Sequence, residues 1–515
     1  MKTDHKQRLY LGGIHLAFFL TTWLLLSWYY GEVMYIAQQN SFFSSESITM
    51  EFITGHRPYG YLWWMGRAML QLFHYPWLGG GITALMLTLI SRMTAYVFRL
   101  KGKFYLLQFI PAWAWLIYSF YKGYDLYYQA ETGQILGVPI CIFIILLLQA
   151  GFIRTFSKKK VASVFLEKQA PSRQWFLEMA AVLLVPLALI TGNETGRAYV
   201  RPTAHMQCAL QQQDWQEMIK TAKECNVSAR PIAAYYAIAL MQTGNITESL
   251  FDIEYNYEDI QLHDRNGEKD YGAGYYEADA NLHSGLILTA YKNAMERLTM
   301  EGPTILSLKL LAETALLNGE KELCNKYLHL LKTVPFEKEF VEYISFMNDN
   351  PEAITQDSRF TNILQVRPVG DSFETTYRKP LFLGYNVSLL QGRSMNALQA
   401  SLAACLYSKQ MGDFLVHTEP LVNTPLPRTI EDALVMESYK NDEINKVFKL
   451  SSLARSRYEM FMNAAAPYRH DREKGAQALK EQFLGYYPYY YHFGNINAEG
   501  SPEDSNKKQQ HTGVN

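Results

Sequence analysis

Cys141-Ile-Phe-Ile-Ile-Leu-Leu-Leu148 lies at the centre of Gly133–Ile153, an apolar run without charge that decides how this chain folds. A second apolar run, Gln174–Thr191, carries only Glu178. The hinge between them has one acid, Glu167, and the basic residues Arg154, Lys158, Lys159, Lys160, Lys168 and Arg173. Such runs are typical of membrane-spanning helices, and Lys and Arg beside them stay in the cytoplasm. We therefore expect Arg154 and the three lysines that follow Ser157 to keep the hinge on the cytoplasmic side.

Apolar runs elsewhere raise the number of predicted spans to five: Leu9–Tyr30, Trp77–Phe98, Phe104–Tyr121, Gly133–Ile153 and Gln174–Thr191. The basic residues Lys2, Lys6 and Arg8 place the N-terminus in the cytoplasm. We interpret the first run as an uncleaved helix, because Trp28-Tyr-Tyr30 stands where a signal peptide would have a small-residue cleavage site. Five crossings leave the chain from Asn193 onward outside the cytoplasm.

Gly60–His74 is a further apolar stretch, but it is too short to cross a bilayer. It reaches roughly 22 Å as a helix, against about 30 Å for the hydrocarbon core. We expect an interfacial or re-entrant helix, and the predicted membrane-interface residues here are Trp63, Trp64, Arg67, Tyr75, Pro76 and Trp77. Arg67 is expected to extend to the lipid headgroups, with pairing to a carboxylate such as Glu51 as the alternative. Counting this stretch as a crossing would place the basic hinge outside.

Charge divides the chain into two unlike parts. Residues 1–192 hold 16 Lys and Arg against eight Asp and Glu, whereas residues 193–515 hold 32 and 41. A large acidic part argues against a nucleic-acid partner. The five cysteines have no metal-ligand spacing, and no phosphate loop or catalytic motif is present, so we expect neither a metal nor a cofactor. A Cys208–Cys225 disulfide is an alternative to five free thiols.

The part after Asn193 shows helical periodicity without a run long enough to span. Four segments predict helix pairs joined by short turns, at Gln213-Asp214, Thr243-Gly244-Asn245, Asn318-Gly319-Glu320 and Met411-Gly412-Asp413. Small residues, a Gly-containing turn and a second apolar helix are typical of tetratricopeptide-like arrays, although the spacing is irregular. The alternative is an irregular all-helical domain. The sequence thus predicts an all-α protein.

Three domains follow from these patterns: a transmembrane domain at 1–192, an extracytoplasmic helical-repeat domain at 193–496 and a disordered tail at 497–515. Within the second domain, Asp252–Tyr276 and Asp357–Asn386 are expected to be irregular. A helix at Asp471–Leu484 precedes the tyrosine-rich segment Tyr486–Phe493. That segment is expected to fill a groove of the helical array, with stacking on sugar rings or binding of a partner as alternatives.

Candidate catalytic residues are weak and lie in the predicted outer loops. Glu32, Glu46 and Glu51 are the candidates for a carboxylate base acting on lipid-linked glycans, with Asp125 and Glu131 in a later loop. Acids in an aqueous loop are usually only solvated, so catalysis is the less favoured hypothesis. Asp279 and His283 stand four residues apart on one predicted helix face, and a surface pair is favoured there over a metal site.

The stretch from Asn40-Ser-Phe-Phe to Phe73-His-Tyr-Pro-Trp-Leu-Gly-Gly80 resembles an uncharacterised family of multi-pass membrane proteins from Bacteroides-like bacteria. The Tyr75–Gly79 box, the helix pairs at Leu306–Leu331 and Leu398–Phe414, and the closing tyrosines carry the resemblance. It implies a bacterial inner-membrane protein with a periplasmic helical domain, and it implies no activity. In physical terms Pro76 starts the second span, Trp77 anchors it, and Gly79–Gly81 permits close packing.

Two functions are compatible with these features. The first is a membrane-anchored interaction or scaffold protein of the cell envelope, whose helical-repeat domain binds a protein partner in the periplasm. The alternative is an enzyme or translocation component that acts on lipid-linked glycans through the first outer loop. Transport is less favoured, because the sequence lacks the buried charge pairs and paired broken helices of transporters.

Overall fold

The computed structural model describes residues 2–44, 46, 50–51, 60–100, 102–122, 129–156, 172–255, 262–263, 269–270, 276–367 and 394–494. Within these residues the regular secondary structure is helical apart from one two-residue antiparallel pairing, Leu262–His263 with Lys269–Asp270. The predicted all-α class is confirmed. The predicted tail at 497–515 lies outside the described residues.

Two compact units form the chain. The first consists of Met1–Ala204, Leu298–Lys309 and Tyr327–Glu342, and the second of His205–Arg297, Leu310–Lys326 and Tyr343–Asn515. Two segments that follow residue 204 thus belong to the N-terminal unit. The domain boundaries drawn from the sequence stay predictions.

Seven helices occur before residue 200 in the described part of the chain: α1 (Lys2–Leu24), α2 (Gly31–Gln39), α3 (Gly60–Gln71), α4 (Pro76–Val97), α5 (Ile110–Lys122), α6 (Gln129–Phe156) and α7 (Ser172–Gly196). A π-helical turn, Leu25–Tyr29, continues α1, and 3₁₀ segments at Leu72–His74 and Gly102–Phe109 follow α3 and precede α5.

The remaining described helices are α8 (Val200–Gln212), α9 (Trp215–Glu224), α10 (Arg230–Gln242), α11 (Ile246–Ser249), α12 (Glu277–His283), α13 (Ile287–Glu301), α14 (Ile305–Leu317), α15 (Lys321–Lys332), α16 (Lys338–Asp349), α17 (Pro351–Ile354), α18 (Ser358–Val366), α19 (Met395–Tyr407), α20 (Met411–His417), α21 (Arg428–Ser438), α22 (Glu443–Val447), α23 (Ser452–Ala465), α24 (Arg472–Phe483) and α25 (Tyr487–Phe493). Short 3₁₀ turns lie at Leu250–Asp252, Glu419–Leu421 and Ala466–Tyr468. Helix α18 lies within Asp357–Asn386, which the sequence predicts to be irregular, so the first part of that stretch is helical instead. Residues 368–393 lie outside the described part of the chain.

Four helical segments are long and apolar enough to cross a membrane: Gly12–Tyr29, Pro76–Val97, Leu136–Thr155 and Phe176–Gly196. They coincide with four of the predicted spans. The remaining predicted span corresponds to the shorter apolar segment Phe104–Phe120, whose first part is 3₁₀-helical. Long apolar helices of this kind indicate that the protein associates with a membrane.

Close packing of α4 against its neighbours depends on glycine. A Cβ atom at Gly80 would overlap the Ser27 hydroxyl oxygen, and one at Gly79 would lie 2.5 Å from the Phe73 ring. At Gly81 it would lie 3.3 Å from Trp23, whose indole N–H donates to the Trp77 carbonyl oxygen at 2.9 Å. The predicted close approach at Gly79–Gly81 is therefore confirmed.

The end of the α1 segment lies close to the end of α7 and to the start of α4. The Tyr29 hydroxyl donates to the Glu194 carboxylate at 2.7 Å, which joins the end of the α1 segment to the end of α7. A Cβ atom at Gly31 would lie 3.2 Å from Pro76, the first residue of α4. Helices α1 and α4 are therefore antiparallel, whereas α1 and α7 are parallel.

The segment from Gly102 to Lys122 runs beside α1 in the same direction. At the end of its 3₁₀ part, Gln108 lies 3.1 Å from the His15 ring nitrogen, and near the end of the segment Phe120 stacks on Tyr30 with ring centroids 4.4 Å apart. The segment therefore follows α1 over about 15 residues, or roughly 22 Å of helix.

Helix pairs in the second unit share one kind of turn. Gln213, Gly244, Gly319 and Lys409 all have positive φ angles, between 56° and 74°. In each turn the following N–H bonds to a carbonyl five residues back at 2.9 Å: Asp214 to Ala209, Asn245 to Leu240, Glu320 to Ala315 and Gln410 to Cys405. This is the Schellman closure of a helix C-terminus.

Three of these turns stand where the sequence predicts them, and the fourth does not. The predicted turn at Gly412 is wrong, because Gly412 lies inside α20 and Lys409 takes the left-handed position instead. The ammonium group of Lys409 donates to the Gly494 carbonyl oxygen at 3.0 Å, a contact that helps to hold this residue in place.

The closing tyrosines pack inside the second unit. Tyr490 stacks tilted on Phe251 with centroids 4.5 Å apart and donates its hydroxyl to the Tyr407 carbonyl oxygen at 2.6 Å. Tyr487 is fully buried, and Tyr489 donates to the Ala476 carbonyl oxygen at 2.7 Å. Burial supports the core-packing interpretation of Tyr486–Phe493. All five cysteines are free thiols, so Cys208 and Cys225 are not paired.

Candidate functional site

The candidate catalytic acids that the structure describes, Glu32, Glu46 and Glu51, are all exposed. Glu32 lies on the exposed face of α2, and Glu46 and Glu51 are exposed in the segment between α2 and α3. Within the described residues, no group of three or more His, Cys, Asp or Glu side chains is arranged to hold a metal ion. Asp125 and the side chain of Glu131 lie outside the described residues.

Arg67 lies inside the protein. Its side chain is buried on α3, and a guanidinium N–H donates to the Phe42 carbonyl oxygen at 3.2 Å. The ring centroids of Trp64 and Phe43 lie 5.4 Å apart, and Trp63 is half-buried. Burial of the arginine against a backbone carbonyl satisfies part of its hydrogen-bonding capacity without solvent.

Tyr75, Pro76 and Trp77 of the predicted interface residues, and Arg154 of the predicted topology residues, lie at helix ends. Tyr75 precedes Pro76 at the start of α4, and Tyr75 and Trp77 are both exposed. Arg154 is exposed in the last turn of α6. Lys158, Lys159 and Lys160 lie outside the described residues. The membrane roles assigned to all these residues stay predictions.

A buried ion pair was not foreseen from the sequence. The Lys309 ammonium on α14 lies 2.7 Å from the Glu337 carboxylate, which is almost inaccessible to solvent. The Gln39 amide nitrogen donates to the other Glu337 oxygen at 3.0 Å, and its carbonyl accepts from Lys309 at 3.0 Å. The Lys309 ammonium and the Gln39 amide together compensate the negative charge of the Glu337 carboxylate, whose burial would otherwise destabilise the folded protein.

The network continues through a row of buried amides and hydroxyls. Gln39 donates to Gln38 at 2.8 Å, and Gln38 donates to Gln71 on α3 at 2.9 Å. Ser41 donates to the Gln38 carbonyl oxygen at 2.8 Å, and its own carbonyl accepts from the Ile305 N–H at 3.1 Å. Helices α2, α3 and α14 are thereby joined by polar contacts inside the first unit. We call the side chains of Gln38, Gln39, Ser41, Gln71, Lys309 and Glu337 the buried network.

An aromatic group lies beside the buried network. The His74 ring stacks on Phe336 with centroids 4.8 Å apart and planes at 16°. Tyr75 meets the same Phe336 ring edge-on at 5.4 Å. Partial burial lowers the pKa of His74, and the carboxylate of Glu337 opposes this effect. Burial of the ring therefore favours the neutral form of the imidazole.

A second polar cluster occupies the interior of the second unit. The Tyr235 hydroxyl donates to the Asp279 carboxylate at 2.9 Å and accepts from the Gln207 amide at 3.0 Å. Burial raises the pKa of Asp279 to about 6, although the hydrogen bond from Tyr235 opposes this shift. The preference for a surface pair at Asp279 and His283 is not supported at His283, which is buried.

His283 has its own partner. Its Nδ1 lies 3.2 Å from the Gln242 amide nitrogen, which places the amide as donor and the ring nitrogen as acceptor. Burial, with a smaller effect of Arg359, lowers the pKa of His283 to about 3. Because Asp279 and His283 are engaged with different residues, their arrangement indicates packing inside the unit and not joint coordination of an ion.

Signals for these two clusters are weak in the sequence. Gln38-Gln39-Asn40-Ser41 is a polar run directly after the apolar residues of α2, and this contrast is the one local sign of a buried network. Its partners stand up to 298 residues away along the chain. Neither cluster combines a nucleophile, a base and an oxyanion-stabilising group, so neither has the composition of a hydrolytic site.

Comparison with known proteins gives one finding. Neither the curated proteins nor the solved structures yield a match to this chain. A family described only as a family of unknown function, DUF6057, matches residues 6–131 and 116–494, which is most of the chain. The protein is therefore a member of the DUF6057 family.

Proposed function

We propose that this protein is a membrane-anchored interaction protein of the bacterial cell envelope. Its apolar helices hold the chain in the inner membrane, and its helix pairs are presented to the periplasm, where they bind a protein partner. The observation that carries the proposal is that the same helix-terminating turn recurs at Gln213, Gly244, Gly319 and Lys409, in a chain that also contains membrane-length helices. Stacked helix pairs are typical of proteins that bind other proteins.

Five crossings are the count we propose. The 3₁₀ segment Gly102–Phe109 has eight residues and α5 has 13. At rises of about 2.0 and 1.5 Å per residue they extend about 16 and 20 Å, which together exceed the roughly 30 Å of a hydrocarbon core. The contacts of Gln108 with His15 and of Phe120 with Tyr30 support this crossing, because His15 and Tyr30 lie near opposite ends of the membrane-length segment Gly12–Tyr29.

The orientation follows from charge. The antiparallel course of α1 and α4 and the parallel course of α1 and α7 are compatible with the N-terminus and the basic hinge on one side of the membrane. Lys and Arg predominate at both places, so we assign that side to the cytoplasm. The end of α7 then faces the periplasm, and the chain that follows it begins there.

A tetratricopeptide-like arrangement is the architecture that we propose for the pairs. In the second unit α10 is buried along most of its length and contributes Ala233, Ala234 and Ala237 to the core. Helix α19 has the same character, with Ala400, Ala403 and Ala404 buried. Small residues on the first helix of each pair allow the close helix packing on which such arrays depend.

Site-specific photo-crosslinking in intact cells tests the interaction. We would place a photoreactive amino acid singly at Val416, Leu453 and Met460, which are exposed apolar positions of the second unit. The proposal predicts a discrete adduct with one protein at one or more of these positions. Absence of any protein adduct at all three, in folded and normally abundant protein, would contradict it.

A triple variant separates interaction from catalysis. Glu32→Ala, Glu46→Ala and Glu51→Ala together remove the candidate acids of the outer loop. An interaction protein should keep both its adduct and its cellular function in this variant. Loss of cellular function with an unchanged adduct would favour the enzyme instead.

A further inference from the structure

Phe336 is held in a conformation that its residue type disfavours. It lies in the connection between α15 and α16, with φ of 70°, and 43% of its surface is exposed. Bulky residues rarely adopt the left-handed region, and such strain persists only where surrounding contacts impose it. A large apolar ring that is both strained and exposed therefore needs an explanation.

The conformation of Phe336 is explained by the contacts of the residue that follows it, Glu337. Glu337 is drawn inward by Lys309 at 2.7 Å and by Gln39 at 3.0 Å. With Glu337 fixed inside, the preceding residue is directed away from the buried network. His74 then supports one face of the Phe336 ring at 4.8 Å, which keeps the ring beside α3 and α4.

The position of the ring along α4 is informative. Phe336 touches Tyr75, the residue before the first turn of α4, at a centroid distance of 5.4 Å. Tyr75 and Trp77 are exposed by 54% and 52% although both are aromatic. Tyr and Trp at the first residues of a membrane-length helix are typical of the bilayer interface. Phe336 belongs to the same layer, because it contacts Tyr75 directly.

We propose that Phe336 is a membrane anchor, which inserts with Tyr75 and Trp77 among the headgroups and first acyl carbons of the phospholipid bilayer. The occupant of this aromatic surface is lipid, since the surface is continuous with the exposed start of α4. The buried Lys309–Glu337 pair sets the geometry by fixing the residue next to the anchor. Through this contact, the connection between α15 and α16 is attached to the bilayer surface. The inference rests on the membrane anchorage in the proposed function.

Photo-crosslinking to lipid tests the anchor. The full-length chain would carry p-benzoylphenylalanine at position 336, in nanodiscs of phosphatidylethanolamine with phosphatidylglycerol. Leu148, exposed by 66% within the membrane-length part of α6, is the positive control. Phe346 on α16, exposed by 58% in ordinary helical backbone, is the matched aromatic control. We expect phospholipid adducts at positions 148 and 336, detected by mass spectrometry, and several-fold less adduct at 346.

The outcomes are distinguishable. A lipid adduct at 148 without one at 336, or equal adducts at 336 and 346, would overturn the anchor and leave membrane anchorage intact. An adduct at 336 with a second copy of the chain in place of lipid would also overturn it. Failure at both 148 and 336 would overturn membrane anchorage itself and the anchor with it. Substitution Lys309→Met provides a second test, because release of Glu337 should reduce the lipid adduct at 336 while that at 148 is unchanged.

Discussion

At the scale of single residues, buried charge is the feature with the largest energetic consequence. Glu337 is buried with Lys309 as its cation, so removing one member leaves the other uncompensated. We expect Lys309→Met to lower the free energy of unfolding by about 3 kcal/mol. Adding Glu337→Gln should recover most of this loss. A denaturant titration of the purified protein in detergent measures both variants.

The control for this prediction is an exposed ion pair of the same kind. Lys321 and Asp349 lie 2.8 Å apart with both side chains largely in solvent. Because water screens such pairs, Lys321→Met should change stability little. If Lys309→Met and Lys321→Met had the same effect, the burial argument would be wrong.

Asp279 supplies a pH-dependent prediction. Burial raises its pKa from the usual 3.8 to about 6, so the folded protein holds this proton more tightly than the unfolded chain does. The ionised form therefore opposes folding above about pH 6, and this cost disappears as the pH falls from 6 toward 3.8. Asp279→Asn should raise stability near neutral pH by up to roughly 3 kcal/mol.

The measurement compares parent and variant at several pH values, so that other titrating groups affect both equally. In the variant, the carbonyl oxygen of the new amide side chain would still accept the hydrogen bond of Tyr235, which the parent makes at 2.9 Å. The difference in stability should shrink as the pH approaches 4. A difference independent of pH would refute the assignment of the raised pKa to Asp279.

At the scale of helices, close packing of α1 and α4 makes Gly80 intolerant of substitution. Its Cβ would overlap the Ser27 hydroxyl, so Gly80→Ala should destabilise the folded protein by about 1–3 kcal/mol. Gly151 on α6 has no atom within 4 Å of its Cβ position, and Gly151→Ala should be neutral or slightly stabilising. Thermal unfolding in detergent tests the pair, and equal effects would show that helix propensity, not packing, dominates at both sites.

The turns of the second unit give a second matched pair. Gly319 has φ of 74° with open space around its Cβ position, so Gly319→Ala costs about 1–2 kcal/mol through backbone strain alone. Gly412 lies in the first turn of α20, also with open space, and Gly412→Ala should be neutral or stabilise by at most about 0.5–1 kcal/mol. Denaturant midpoints measure whether each variant gains or loses stability. A loss of stability in Gly412→Ala would favour the turn that the sequence predicts at this position.

These turns show what sequence can and cannot specify. Gly244 and Gly319 are recognisable because glycine is the residue expected in a left-handed position. The turn at Gln213 can be predicted only from the short interval between α8 and α9. The turn at Lys409 is not predicted, because the nearby Gly412 is the residue type expected in a left-handed position. The apolar helices were predictable, since length and composition alone determine whether a helix can span.

At the scale of the whole molecule, long-range contacts were beyond the reach of sequence patterns. Gln39 meets Lys309 and Glu337 across 270 and 298 residues, and no local periodicity encodes such a pairing. The same applies to the grouping of Leu298–Lys309 and Tyr327–Glu342 with the N-terminal unit. Of the predicted site residues, Arg67 shows this limit most clearly. Its charge in an apolar stretch favoured lipid headgroups, whereas the structure buries it against the Phe42 carbonyl oxygen.

Orientation in the membrane gives the last prediction, which concerns the whole molecule. The end of α7 lies beside the end of the α1 segment through the hydrogen bond from Tyr29 to Glu194 at 2.7 Å. An odd number of crossings then places residues after Gly196 opposite the N-terminus. Because basic residues surround the N-terminus and the hinge, we expect both in the cytoplasm.

Reporter fusions measure this orientation directly. A reporter active only in the cytosol should work when fused after Phe156, at the start of the hinge, and fail when fused after Gly196. A reporter active only in the periplasm should give the opposite result at both sites. Activity of the cytosolic reporter after Gly196 would place the helix pairs in the cytoplasm and contradict the proposed periplasmic location. No predicted span follows α7 that could return the chain across the membrane.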